Sequence, residues 1–110
     1  MSDEEDASLE NIPGPSVPAD AISTELLITN KRGLHARASA KFVQTVERFN
    51  AEVWVTRGSE TVGGTSIMGL MMLAAGPGTK VIVSAIGPDA KAAVSAIAEL
   101  VESKFNEEGT

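Results

Sequence analysis

Apolar and polar positions alternate along this chain with two different periods, and the switch between them marks out the elements. Residues 22–29, "ISTELLIT", are β-branched and apolar enough for a strand, and the polar run "NKRG" ends it at Gly33, a residue free to take a positive φ. From His35 the period changes. Ala36, Ala40, Val43 and Val46, with Phe42 and Phe49, recur every three or four residues, which predicts a helix starting at His35 and ending near Asn50. "EVWVTR" and "ETVGG" flank Gly58-Ser59, the mark of a hairpin between two short antiparallel strands.

The segment "TSIMGLMMLAAG" opens on two hydroxyl residues suited to capping and places Ile67, Leu70, Met71 and Ala74 on one face before Gly76-Pro77-Gly78 stops it, predicting a short helix. "TKVIVSAIG" reads as a nearly continuous apolar strand in the middle of a sheet. A last amphipathic helix carries Ala90, Ala93, Val94, Ile97, Val101 and Phe105 on one face. The order β-α-β-β-α-β-α predicts an α+β fold, a four-stranded antiparallel sheet with three helices on one face.

The first 20 residues show neither period. They hold three prolines, a glycine and the acids Asp3, Glu4, Glu5, Asp6, Glu10 and Asp20, which predicts a disordered acidic extension (1–20) ahead of a single domain at 21–110. That division changes how the net charge of −6 is understood. The domain carries nine basic and nine acidic residues, so it offers no basic field for nucleic acid. With no cysteine and one histidine, disulfide, thiolate and iron–sulfur chemistry are excluded and a metal site is not expected. No apolar run is long enough to span a bilayer and no signal core is apparent, so a soluble, cytoplasmic protein is expected.

The one histidine sits in "GLHARASAKFV", where the helix should begin. At the first helical position its ring would lie beside the unsatisfied N–H groups of Ala36 and Arg37, and the Arg37 guanidinium could reach the same spot. That setting suits an anion held covalently on imidazole and favours the neutral ring, with a nitrogen lone pair free to attack phosphorus. The plain alternative is a histidine that merely tolerates a helix start.

Taken together, "NKRGLHARASAKFV", "GGTSIMGLMMLA", "GPGTKVIVSAIG" and the element order resemble the HPr phosphocarrier family of the bacterial phosphoenolpyruvate-dependent phosphotransferase system, over about residues 22–105. The resemblance implies an open-faced β-sandwich and a carrier, not an enzyme, that needs no cofactor. His35 would take a phosphoryl group on Nδ1 from enzyme I and pass it to an enzyme IIA, with Arg37 assisting. Ser66 would match a regulatory serine modified by an HPr kinase/phosphorylase, and Ile67, Met68, Met71 and Met72 a docking surface. A monomer is expected. Ala38 stands where the family usually has proline, and a branch of the system that regulates instead of serving sugar uptake is a second reading. From the residues alone, Ser66 or Thr65 could be a simple helix cap, the methionines could be core, and a non-phosphorylated interaction domain stays open.

Overall fold

The computed structural model describes residues 16–107. The acidic stretch expected to be disordered falls mostly at 1–15, outside the described residues. Four strands, β1 (Ile22–Leu27), β2 (Glu52–Arg57), β3 (Glu60–Gly63) and β4 (Lys80–Ile86), form one sheet in the order β1-β4-β2-β3, every pair antiparallel. The apolar run of β4 has the reason expected: it lies between β1 and β2. Gly58 takes φ +61° in the β2–β3 hairpin, where Arg57 faces Glu60.

Three helices, α1 (Ala36–Val46), α2 (Ile67–Met72) and α3 (Ala90–Glu102), cover one face of the sheet. Strand alternation sends Val53, Val55, Val81, Val83 and Ala85 into the core, where they meet Phe42, Val46, Leu70, Ala93, Ile97 and Val101 from the helices. Among the described residues no helix is long and apolar enough to cross a membrane.

Several local expectations need correction. His35 is the N-cap of α1, not its first residue: its backbone is extended (φ −77°, ψ −176°) while its carbonyl already accepts the first helical bond, from Ser39. Helix α1 buries Ala38, Ser39, Phe42, Val43 and Val46 but leaves Ala36 exposed, so its inward stripe is rotated from the one inferred. Helix α2 is shorter than expected. It buries Leu70, with Leu73 just beyond its end, while Ile67 and Met71 face outward. Trp54, in β2, is only 6% exposed. Alternation puts it on the face opposite Val53 and Val55, and its register partners there are the small residues Gly63 and Ser84.

The last apolar residue of the α3 stripe, Phe105, is buried but lies outside that helix. Lys104, Phe105 and Asn106 take φ of +58°, +57° and +56°, a single left-handed turn that reverses the chain after α3. Such a conformation costs about 1–2 kcal/mol per residue without glycine. It persists because Phe105 is wholly enclosed in the core and its carbonyl accepts a hydrogen bond from Lys41 Nζ at 2.6 Å.

Candidate functional site

The site begins with the turn between β1 and α1. Asn30 is fully buried and its side-chain Nδ2 donates to the Gly33 carbonyl at 2.9 Å, closing the polar run on itself. Gly33 follows with φ +64°, and a Cβ there would stand 2.2 Å from the Ala75 carbonyl oxygen. The need for glycine is therefore internal: this turn presses on the backbone of Ala75 and Gly76, to which Leu34 also donates its N–H at 3.0 Å. The turn so fixed delivers His35 to the head of α1.

There the ring is bonded at both nitrogens. The Arg37 N–H donates to Nδ1 at 3.2 Å, and Nε2 lies 2.6 Å from Glu107 Oε2. An amide N–H needs an acceptor and a carboxylate is an acceptor, so the two contacts agree on one neutral tautomer, with the proton on Nε2 and the lone pair on Nδ1. The ring is not buried: 23% of the side chain remains exposed. It borders a shallow depression lined by Arg32, Leu34, Ala74, Ala75 and Gly76. Nδ1 thus carries a basic lone pair at the positive end of a helix dipole, beside first-turn N–H groups that have no carbonyl four residues back within the helix.

Arg37 contributes differently from expectation. Its backbone amide touches the ring, while its exposed guanidinium makes no hydrogen bond among the described residues. Glu107 and Asn30 are the partners that sequence reasoning missed. The left-handed turn carries Glu107 back to His35, 72 positions away, and Asn30 Nδ2 donates to its other oxygen, Oε1, at 3.1 Å. Burial pushes the Glu107 carboxyl up. The hydrogen bonds from Asn30 and His35 and the electrostatic attraction of the His35 ring and Lys41 outweigh that and hold it below its ordinary value, so it is ionised at neutral pH. No sequence pattern flags a pair so far apart; the only trace is an apolar Phe105 one turn past the end of α3.

Ser66 is the N-cap of α2, its Oγ accepting from the Gly69 N–H at 2.9 Å. Beyond it Ile67, Met68, Met71 and Met72 are all exposed, Met68 and Met72 at 70% and 73%. The other end of α2 is tied down by β2, where Arg57 Nη1 donates to the Leu73 carbonyl at 2.8 Å. The structure therefore brings His35, Arg37, Asn30 and Glu107 into one cluster. Ser66 and the four apolar residues lie on the neighbouring helix α2. Among the described residues there is no cluster of side chains that could hold a metal.

The family model for the HPr component phosphorylation site of the phosphotransferase system matches residues 22–103. The phosphocarrier protein HPr of Neisseria meningitidis (serogroup A) is 51% identical over 80 residues, 73% of this chain and 90% of that protein. The phosphocarrier protein NPr of Shewanella violacea is 38% identical over 86 residues, 78% of this chain and 94% of that one. Among solved structures, HPr-C-His from Thermoanaerobacter tengcongensis superimposes with a TM-score of 0.76 at 44% identity, covering 79% of this chain and 98% of its own.

Proposed function

This chain belongs to the HPr family of phosphocarrier proteins of the phosphotransferase system, and from that premise we propose that His35 is the residue on which it carries the phosphoryl group. The supporting observation is the state of the ring: partly exposed, bonded at Nε2 to a carboxylate, and holding its lone pair on Nδ1 beside the start of α1. On loading, the Nδ1 lone pair forms a bond to the phosphorus of a phosphorylated enzyme I. The donor's own bond to phosphorus breaks, its electron pair returning to the donor. On unloading the same exchange runs toward an enzyme IIA-type acceptor. The Arg37 N–H, freed from the lone pair by the new bond, is placed to donate to a phosphoryl oxygen, with the helix N-terminus favouring the negative charge.

The exposed row of Ile67, Met68, Met71 and Met72 is the surface through which partners would dock, since flexible apolar side chains adapt to more than one partner. A phosphate on Ser66 would add close to two negative charges at the edge of that row while keeping oxygens near the α2 N-terminus. Modification would thus leave the helix in place and weaken docking. A monomer working in the cytoplasm without a bound cofactor fits this role. Incubation with enzyme I and radiolabelled phosphoenolpyruvate tests it: an acid-labile, base-stable label should appear and be absent from His35→Ala. Label persisting in that variant would sink the assignment.

The likeness to an NPr favours keeping a second reading of the pathway, in which the acceptor is a regulatory protein and not part of a sugar permease. Recovery of partners on the phosphorylated carrier separates the two.

A further inference from the structure

The bond between His35 and Glu107 has no part in the transfer as described so far, yet much of the surrounding structure serves to make it. Phe105 anchors the left-handed turn, Lys41 holds the Phe105 carbonyl, and buried Asn30 orients the carboxylate while bracing the Gly33 turn. We propose that Glu107 is a positioning residue for phosphoryl transfer: it keeps the ring proton on Nε2 in both the empty and the loaded carrier. Nδ1 is then always the nucleophile, and the group that leaves is always neutral imidazole. This rests on the reading of His35 as the phosphoryl acceptor.

The chemistry closes without moving a proton. When Nδ1 binds phosphorus, the ring gains a positive charge shared with Nε2–H, and the carboxylate at 2.6 Å faces that charge directly. When the N–P bond later breaks, its electron pair stays on Nδ1 and the ring departs neutral. If Nε2 lost its proton in between, the leaving group would be an anionic imidazolate, a far poorer one. The other charged groups around the ring oppose the cation: Arg37 and Lys41 on α1, and Arg32 in the turn before it. The Ala74–Gly76 side of the depression brings no charge. The loaded ring therefore depends on Glu107 for its Nε2 proton.

Nitrogen-15 NMR of the full chain and of Glu107→Ala and Glu107→Gln tests the empty state. Wild type and Glu107→Gln should show the Nε2–H tautomer, because the glutamine oxygen still accepts, and Glu107→Ala should show a mixture with Nδ1–H. The loaded state is tested by the rate at which phospho-His35 passes its group to an acceptor. Both variants should be slower than wild type by about tenfold near pH 8.5 and nearly equal to it near pH 6, where the proton is present regardless. Melting followed by circular dichroism checks that each variant folds. If all three proteins load normally, and Glu107→Ala keeps the wild-type tautomer and the wild-type pH profile, the positioning role is overturned and the carrier reading stands. If the wild type takes no label from enzyme I, the carrier reading falls and this role falls with it.

Discussion

Two helices of this protein begin in the same way and are held very differently. His35 and Ser66 are both N-caps with extended backbones, and each side chain accepts an amide N–H from the first turn, at 3.2 Å from Arg37 and 2.9 Å from Gly69. Helix α1 has 11 residues, and its cap is bonded a second time by a carboxylate from the far end of the chain. Helix α2 has 6, buries only Leu70 within its span, and its cap makes no such second bond among the described residues. A capping side chain tied into long-range packing can be tuned for chemistry. One tied only to its own turn can change without disturbing the fold, which suits a position where surface charge is to be altered.

The strongest way to break the contrast is Phe105→Ala. Removing a fully buried ring should cost about 3–5 kcal/mol in denaturant titrations and release the turn that brings Glu107 to His35. If the His35 ring resonances were unmoved in that variant, the long-range wiring would be absent. Gly33→Ala should cost about 1–3 kcal/mol from its positive φ alone, and more from the clash with Ala75. It should displace His35 without touching Ser66. Ser66→Ala, by contrast, should remove about 1 kcal/mol, visible as faster hydrogen exchange at Gly69 and Leu70, with the His35 ring unaffected.

Acid sharpens the comparison further. Glu107 has a depressed value in the folded protein, so its stabilisation is fully present above the ordinary glutamate range of about 4.3 and is lost as pH falls through the lower folded value. Amide exchange around Phe105 should therefore rise only below about pH 4, while that of α2 stays level. The smallest effect belongs to Met68→Ala and Met72→Ala. Each should shift stability by less than about 0.5 kcal/mol, because both side chains are largely exposed, yet lower affinity for enzyme I in titration calorimetry.

The parts of the molecule set by local pattern were open to sequence reasoning. Each strand and helix forms within the segment its periodicity marks, although the buried faces of α1 and α2 and the ends of α2 and α3 differ from the pattern. His35 and Ser66 stand out as residues of helix starts from the same local pattern. What escaped was non-local. Asn30 looks like an ordinary turn residue, and only the folded chain makes it a buried donor to Glu107. Glu107 lies in an acidic stretch of sequence, and its meeting with His35 depends on three consecutive left-handed residues, of which only Asn106 is of a type that visits that region readily. The inward face of α1 departs from its apolar spacing because polar Ser39 is buried there, its hydroxyl donating to the Leu34 carbonyl.

The left-handed turn also has a practical side. The turn ends at Glu107, whose carboxylate lies 2.6 Å from His35 Nε2. A purification tag, dye or fusion partner joined there would be tethered within reach of the imidazole and would compete with any protein approaching it. A label ahead of β1 is the safer choice, since Ile22 pairs with Ala85 at the end of the strand remote from where it runs on toward His35.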